Sequence, residues 1–302
     1  MIIQESGWRD LLRLFIWYPF RWFCQLAPIP LNLRIFRLMG HLHFQFSQSK
    51  KRALAQLLES TLPEGKNSPD TVQRAILDYF SNHYTDRMSI FHYARLNRDN
   101  LDQVLTFDGL ELIDQGLEKG RGCVLLHSHM GPSQLSLVAL GRMGYGMTQM
   151  GFRSEQNLSG IGRDVQLRIR MELEEAFPAQ MLYADRFQRQ IFRNLKDNGV
   201  IMTAGDGSGT AGRFGPQGVA EFMGRQMVFP VGPYKLAEKT GATLLFLFLI
   251  RDGLYRYRIV IRKPDPSLTP FEAFVRELER HVADDPGQWP FWDGFKPGVV
   301  LQ

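Results

Sequence analysis

From residue 101 onward, apolar positions form short continuous runs that alternate with segments of helical periodicity. Continuous runs that contain β-branched residues lie at 123–126, 200–204 and 243–250, a pattern typical of strands buried on both faces. Weaker strand patterns lie at 147–152 and 255–261. Amphipathic helical spacing occurs at 111–118, 134–142, 162–176, 186–197 and 234–240, and the charged runs at 167–175 and 186–197 are predicted to be solvated faces. This alternation predicts an α/β sheet with helices on its faces.

The first hundred residues follow a different pattern. Residues 32–100 have mainly helical spacing, with amphipathic segments at 53–62 and 68–82, and the second of these begins at a Ser-Pro-Asp start signal. We therefore divide the chain into an N-terminal helical, membrane-associating region at 1–100 and an α/β domain at 101–302. A chain of 302 residues is long enough to bury a substantial core.

Positive charge is concentrated at the N-terminus. Residues 1–52 contain eight Lys or Arg against Glu5 and Asp10, a net charge of +6, whereas the whole chain carries +5. In residues 8–31 the arginines are interleaved with aromatic side chains, a composition typical of the membrane interface. A clean membrane span would need about 20 predominantly apolar residues, and Pro19 and Arg21 interrupt any such span here. No signal-peptide cleavage site follows the apolar run. We predict a monotopic anchor on the cytoplasmic leaflet, with a single span or an ordinary packed helix as alternatives.

Several classes of ligand have no matching motif. The two cysteines, Cys24 and Cys123, lie in separate apolar runs, and the histidines lack partners at metal-ligand spacing, so we predict no metal ion. The glycine-rich loop at 205–218 has neither a P-loop lysine nor a dinucleotide-binding pattern after the first strand, and we predict no cofactor. The basic segment is dominated by apolar and aromatic residues, so nucleic acid is not a predicted partner.

The candidate reactive residues directly follow the apolar run at 123–126. In GCVLLHSHMGPSQL, residues 122–135, the apolar run ends in His127 and His129, and a Gly-Pro turn precedes a predicted helix from Ser133. Alternate residues of a strand point to the same side, so we expect the two histidines to share one face. A strand end beside a helix N-terminus can hold a base next to N–H groups that bind an anion. An isolated histidine is more often structural, so position alone assigns no role.

Motifs that occur along nearly the whole chain carry a family resemblance. They are FDGLELIDQGLEKGRGCVLLHSHMG from Phe107, MGFRSEQN from Met150, GVIMTAGDGSG from Gly199, EFMGRQMVFPVGPYKLAEKTGATLLFLFLIRDG from Glu221 and DPGQWPFW from Asp285. In order and spacing, these motifs resemble the bacterial lipid A biosynthesis acyltransferases, the lauroyl and myristoyl transferase branch of the lysophospholipid acyltransferase superfamily.

The resemblance implies both a fold and an activity. The implied fold is glycerolipid acyltransferase-like, an α/β fold with a mixed central sheet flanked by helices and an N-terminal membrane-associated helical region. The implied reaction is O-acyl transfer from an acyl thioester, on acyl carrier protein or coenzyme A, to a hydroxyl of a membrane lipid. Lipid A precursors and other glycolipids are the implied acceptors, and the implied location is the cytoplasmic face of the bacterial inner membrane.

The resemblance also implies candidate residues. His129 aligns with the family's histidine, the general base for the acceptor hydroxyl, and an unperturbed imidazole pKa of about 6.5 suits that task. The N–H groups around Gly131 and Ser133, at a helix start, are the candidate oxyanion donors. Further candidate substrate-binding residues are Arg153 after a predicted strand, Asp206 after the run at 200–204, Phe222 and Gly224 in a Phe-x-Gly loop, and Arg251 after the run at 243–250. Ordinary structural roles are the alternatives for Arg153, Asp206 and Arg251.

One departure from the family pattern concerns the catalytic pair. The family has His, four residues, then Asp or Glu, whereas this chain has Gln134 at the acidic position. An amide can orient an imidazole but carries no charge to stabilise imidazolium. Three explanations remain open: His127 shares or replaces the role of His129, an acid from elsewhere such as Asp206 substitutes, or catalysis has been lost. We predict a membrane-surface acyltransferase, with a degenerate lipid-binding or assembly protein and an acyl hydrolase as alternatives.

Overall fold

The computed structural model describes residues 7–151, 158–183, 189–207 and 215–295. Helices in this part of the chain are α1 (Gly7–Phe15), α2 (Arg21–Leu26), α3 (Ile29–Phe46), α4 (Gln48–Thr61), α5 (Pro69–Met88), α6 (Glu111–Leu117), α7 (Gln134–Met143), α8 (Arg168–Glu175), α9 (Arg189–Lys196), α10 (Gly232–Thr240) and α11 (Pro270–Asp284). π-Helical segments lie at Ile16–Phe20 and Gly162–Leu167. Short 3₁₀ segments lie at Ser89–Arg95, Leu101–Gln103, Pro286–Gln288 and Pro290–Gly294.

One large mixed sheet forms the centre of the fold. Its strands are β1 (Leu105–Asp108), β2 (Cys123–His127), β3 (Met147–Gly151), β4 (Gln180–Tyr183), β5 (Val200–Ala204), β8 (Thr243–Arg251) and β9 (Tyr257–Arg262), and β6 (Gln217–Phe222) and β7 (Arg225–Pro230) form a separate hairpin. The strand order is β1–β9–β8–β2–β5–β3–β4, and the pairs are parallel except β8–β9. The prediction of an α/β fold with a mixed central sheet flanked by helices is confirmed.

The central strand β2 is buried on both faces. Leu125 belongs to a core shared with residues of α3 such as Phe36, whereas Leu126 belongs to the core that contains Phe274 of α11. Successive side chains of a strand point to opposite faces, so a strand between two helical layers must be apolar throughout. In the register of the parallel pair, His127 of β2 lies opposite Ala204 of β5. The residues that follow these two strands therefore emerge at the same edge of the sheet.

A C-terminal segment connects this edge with the N-terminal helices. The side-chain amide of Asn82 in α5 donates to the carbonyl of Gly287 at 2.9 Å, and the hydroxyl of Tyr79 donates to Asp293 at 3.0 Å. Gly287 approaches α5 so closely that a Cβ atom there would lie 2.8 Å from the carbonyl oxygen of Ala75. The N-terminal helices and the segment at 286–294 are consequently packed into one structure with the sheet.

The first three helices present an apolar stripe to the outside. α1, the π-helical turn and α2 follow one another without interruption, and Pro19 lies inside the π-helical turn. Exposed apolar side chains recur here at helical spacing: Trp8, Leu11, Leu12, Phe15, Trp22, Phe23 and Leu26. Further ones lie along α3, at Leu31, Leu38, Leu42 and Phe46. Within the described residues, no helix combines the length and apolarity needed to cross a bilayer.

Several elements differ from those that the sequence pattern predicts. β1 and β4 have four residues each, too few for a clear alternation. The β6–β7 hairpin begins at the end of the predicted loop at 205–218 and continues to residue 230, a stretch for which we predicted no strand. This hairpin turns at Met223 and Gly224, with φ angles of 53° and 70°. The predicted helix at 162–176 consists of the π-helical segment followed by α8. The buried strands and the amphipathic helices agree with the predictions to within a few residues.

Candidate active site

The ends of β2 and β5 bring a histidine and a carboxylate together. His129 lies two residues beyond β2, and Asp206 lies two residues beyond β5. Nδ1 of His129 is 2.7 Å from Oδ1 of Asp206, and the backbone N–H of His129 donates to Oδ2 of the same carboxylate at 2.7 Å. The Asp206 side chain is fully buried, whereas 31% of the His129 side chain is exposed. The pair therefore presents an imidazole to accessible space with the carboxylate behind it.

The hydrogen bonds determine which nitrogen of His129 is available. A carboxylate only accepts, so Nδ1 carries the proton and donates to Asp206. Nε2 then holds the free lone pair, and no partner for it occurs among the described residues. Burial lowers the pKa of His129, but the charge and the hydrogen bond of Asp206 raise it more, so that the pKa lies above its ordinary value of 6.5. This is the arrangement of a base at Nε2 that an acid at Nδ1 orients and strengthens.

His127 has different surroundings. The strand ends at His127 and His129 lies in the following loop, so the two do not occupy the common strand face that we predicted, although their ring centroids are 5.5 Å apart. Nδ1 of His127 donates to the carbonyl of Ser128 at 2.9 Å, and Nε2 is enclosed without a partner in the described part of the chain. Burial, followed by the nearby charge of His129, lowers the pKa of His127 to about 4. His127 is therefore a buried neutral neighbour rather than an accessible base.

Gln134 contacts a different acid. Its side-chain amide donates to Oε1 of Glu174 at 2.6 Å, and Nε of Arg170 donates to the same oxygen at 2.8 Å. Glu174 is only 5% exposed, so the prediction that the charged run at 167–175 is a solvated face is wrong at this residue. The amide supplies a donor that an ionised glutamate at position 134 would lack. Asp206 contacts His129, and Gln134 contacts Glu174 instead. Of the three explanations for Gln134, the geometry therefore favours the one in which an acid from another part of the chain, Asp206, replaces the family acid.

The turn between His129 and α7 contains the predicted oxyanion donors. Gly131 has a φ of 63°, a left-handed conformation that favours glycine, and Ser133 directly precedes α7. Among the described residues, neither the Gly131 nor the Ser133 backbone N–H has a hydrogen-bond acceptor. N–H groups that remain available beside a base are what an oxyanion site needs. Their role as oxyanion donors stays a prediction.

Phe222 and Gly224 lie in the β6–β7 hairpin. Phe222 is fully buried and packs against Phe229 and Trp289, so its ring belongs to the core of this edge rather than to an open surface. Gly224 occupies the hairpin turn, and a Cβ atom there would meet nothing within 4 Å. The hairpin therefore supports the site through packing, and direct substrate contact by either residue stays a prediction.

Arg251 is part of a buried polar link and not a free cleft residue. Its guanidinium is ion-paired with Asp86 of α5 and donates to the hydroxyl of Tyr257 at 2.8 Å. The backbone N–H of Arg251 donates to Gln288 at 3.0 Å. These contacts favour the structural alternative for Arg251, because its charge is already satisfied inside the protein. Arg153 lies outside the described residues.

Two aromatic residues at this site have no role in our sequence analysis. Nε1 of Trp289 donates to Oδ2 of Asp206 at 3.3 Å, and the ring of Phe291 packs nearly perpendicular to that of His129 at a centroid distance of 4.9 Å. Both lie in the DPGQWPFW motif, which we used only for the family resemblance. The concentration of aromatic residues in this motif is a signal of burial, but it does not reveal which side chain they contact.

A cavity of about 350 Å³ lies on one side of the site. Its lining includes Met130 and Gln288 but neither His129 nor Asp206. Its three arginines pair with carboxylates: Arg262 with Asp108, Arg280 with Glu277 and Asp284, and Arg258 with Asp252. We therefore centre the candidate active site on His129. In the described ranges, no group of three or more His, Cys, Asp or Glu side chains is placed to hold a metal ion.

Comparison with protein-family models assigns the chain to a family. Residues 8–292 match the family model for bacterial lipid A biosynthesis acyltransferase, which confirms the resemblance drawn from the motifs. Among curated proteins, no significant match to the chain is found. The family match extends from the N-terminal helices to the aromatic C-terminal segment and includes both His129 and Asp206. The chain belongs to the bacterial lipid A biosynthesis acyltransferase family.

Proposed function

We propose that the protein is an O-acyltransferase that moves a fatty acyl chain from an acyl thioester to a hydroxyl of a membrane lipid, with His129 as the general base and Asp206 as its acidic partner. The observation that carries this proposal is the hydrogen bond of 2.7 Å between His129 Nδ1 and the fully buried Asp206, which leaves Nε2 available. Family membership supports acyl transfer as the reaction class. The acyl thioester is a co-substrate, and the proposed reaction uses no other cofactor.

His129 and the neighbouring backbone N–H groups provide the proton transfers and the oxyanion site that the proposed reaction needs. The acceptor O–H gives its proton to Nε2 of His129 as its oxygen forms a bond to the thioester carbonyl carbon. The carbonyl oxygen becomes an oxyanion that the N–H groups of Gly131 and Ser133 would bind. The carbon–sulfur bond then breaks, and the imidazolium returns its proton to the departing sulfur. The products are an ester and a thiol, and no acyl-enzyme intermediate forms.

The pH dependence of transfer should identify the base. Only the neutral imidazole accepts a proton, so kcat/KM should fall as the pH decreases through the pKa of the free-enzyme base. For His129, whose pKa is raised, we expect the midpoint of this acid limb above 6.5. A midpoint near the value of about 4 to which the pKa of His127 is lowered would instead assign the reaction to His127. The profile is measured as initial rates of transfer with a soluble thioester donor.

Product analysis tests the function itself. The detergent-solubilised protein would receive acyl carrier protein and coenzyme A thioesters together with extracted bacterial membrane lipids, including lipid A precursors, with products read by mass spectrometry. We expect a new acylated lipid that forms only when both thioester and lipid are present. Release of free fatty acid without any acylated lipid would instead indicate the hydrolase.

The non-catalytic alternative rests on one observation. Gln134 replaces the family acid and binds Glu174, so it cannot act as the charged partner of His129. A lipid-binding or assembly protein would bind the acceptor lipid but transfer no acyl group, and substitution of His129 would leave its biological function intact. The contact between Asp206 and His129 supports the enzyme over this alternative.

We infer that the apolar stripe of α1–α3 binds the cytoplasmic face of the bacterial inner membrane. Leu26 and Phe46 are 86% and 85% exposed, far more than apolar side chains in a packed helix. Exposed cations, among them Arg9, Arg34 and Arg37, lie in the same helices. Apolar side chains that enter the acyl boundary together with guanidinium groups that reach lipid phosphate are the requirements for interfacial binding. An enzyme bound at the membrane interface could reach lipid substrates without extracting them from the bilayer.

Vesicle sedimentation tests the membrane surface. The double substitution Leu26→Glu with Phe46→Glu is expected to weaken binding to vesicles that contain phosphatidylglycerol by about 10-fold or more, because two apolar contacts become charges. Val219→Glu is the matched control, since Val219 is 62% exposed but lies in β6. Equal binding by the native protein and the double variant would contradict the proposed surface.

A further inference from the structure

A third donor reaches the Asp206 carboxylate from the C-terminal segment. Nε1 of Trp289 donates at 3.3 Å to Oδ2 of Asp206, the oxygen that also accepts the backbone N–H of His129. Trp289 and Asp206 are both fully buried. The indole N–H is the only polar group of tryptophan, and when it is buried it usually has a hydrogen-bond partner. Here the partner is the carboxylate behind the candidate base.

Aromatic neighbours hold Trp289 in place. Its ring packs against four others with centroid distances from 5.0 to 5.9 Å: Phe222, Phe291, Trp292 and Phe295. Phe291 also packs against the ring of His129. The aromatic segment at 289–295 therefore contacts both members of the proposed pair, through a hydrogen bond at Asp206 and a ring contact at His129.

We propose that Trp289 is a positioning residue of the active site, whose indole N–H orients the Asp206 carboxylate and draws off part of its negative charge, and so sets how strongly His129 binds a proton. This inference rests on the proposed function in taking His129 as the base. It assigns a role to a residue that would not itself touch either substrate.

The direction of the effect follows from the charges around His129. Asp206 attracts the imidazolium form, and a donor at Oδ2 weakens that attraction because it shares the negative charge. The other titratable group in contact is His127, whose pKa is lowered to about 4, so it is neutral in the pH range in which His129 titrates and adds no opposing charge. Without the Trp289 N–H, Asp206 acts more strongly on His129, and the His129 pKa should rise by about 0.3–1 unit. A role in packing alone would not move this value in a fixed direction.

Two substitutions remove the N–H while keeping an aromatic ring. Trp289→Phe deletes it, and replacement of Trp289 by 3-benzothienylalanine, in which sulfur replaces the indole N–H, preserves the ring's shape if phenylalanine loosens the fold. Trp292→Phe is the matched control, because Trp292 belongs to the same aromatic segment but its N–H donates to the carbonyl of Pro286 at 2.8 Å. All three variants lose one buried hydrogen bond from a tryptophan, and only two lose it at Asp206.

The readout is an NMR titration of the histidine ring signals in the detergent-solubilised protein. The chain has seven histidines, and the spectrum of His129→Gln identifies the signal of His129 by its absence. We expect the His129 pKa to rise in both Trp289 variants and to remain at the native value in Trp292→Phe. The acid limb of kcat/KM should move to higher pH by the same amount.

Two outcomes would overturn the inference: an unchanged His129 pKa in both Trp289 variants, or an equal rise in Trp292→Phe, which would indicate a general loosening of the aromatic segment. The titration requires no substrate. If the native protein transferred no acyl group, the proposed function would fail, while the titration would still decide the role of Trp289.

Discussion

Replacing His129 with alanine is expected to reduce acyl transfer by about 10²–10⁴-fold, the usual contribution of a positioned general base. The expected loss is in kcat rather than KM, because the imidazole accepts the proton only as the acceptor hydroxyl attacks the thioester. The measurement is the initial rate of acyl-lipid formation for the native protein and His129→Ala at equal concentrations, above the pH at which His129 is protonated.

The control for this experiment is His127→Ala. Its ring lies 5.5 Å from that of His129 and is buried, so the substitution disturbs packing at the same place without removing the exposed nitrogen. Thermal unfolding and vesicle binding of both variants report whether the fold and the membrane surface are intact. If His129→Ala kept full turnover and His127→Ala lost it, His127 and not His129 would be the base.

Asp206→Asn is expected to lower transfer by a similarly large factor, about 10³–10⁴, with little change in substrate binding. This factor is scaled from the serine-protease triad, in which the same Asp-to-Asn change costs about 10⁴ in turnover. An amide at 206 can accept from the backbone N–H of His129, but it brings no charge to stabilise the imidazolium. It also permits the wrong imidazole tautomer, with the proton on Nε2. Acid quench and mass spectrometry of single-turnover mixtures would measure the chemical step directly.

Gln134→Glu tests whether position 134, rather than Asp206, is the acid position. It restores the residue type that the family has at this position, yet it places a second carboxylate against the buried Oε1 of Glu174, which Gln134 contacts at 2.6 Å. Like charges at this distance repel, so we expect no gain in activity and a lower unfolding temperature. A large gain in transfer would show that position 134 is still the working acid position and would contradict the assignment of Asp206.

The sequence was most informative where one physical requirement acts on a local segment. β2 and β5 are predictable because a strand covered on both faces must be continuously apolar, and this requirement is visible in residues 123–126 and 200–204. α8 and the π-helical segment before it could not be told apart from the sequence, because a helical period does not distinguish the α-helical hydrogen-bonding pattern from the π-helical one. β1 and β4 are missed since four residues carry little periodicity.

The contact between His129 and Asp206 could be predicted only in part. His129 and Asp206 are separated by 77 positions, and nothing local indicates that β2 and β5 are neighbours in the sheet. The family motif predicts an acidic partner for His129 at position 134, whereas the acid that contacts His129 is Asp206, which follows β5, the strand next to β2 in the sheet. Trp289 lies 83 positions beyond Asp206, and its partner depends on how the C-terminal segment packs on α5. Such long-range contacts depend on topology, which a single sequence does not display.

The most direct test of the central claim compares the native protein, Asp206→Asn and Gln134→Ala in one transfer assay. The assay supplies an acyl thioester and extracted membrane lipids, and mass spectrometry measures the acylated lipid. We expect the native protein to form it, Gln134→Ala to retain transfer within about 10-fold because it removes a structural hydrogen bond, and Asp206→Asn to fall to near background. Undiminished transfer by Asp206→Asn would contradict the proposed His129–Asp206 pair.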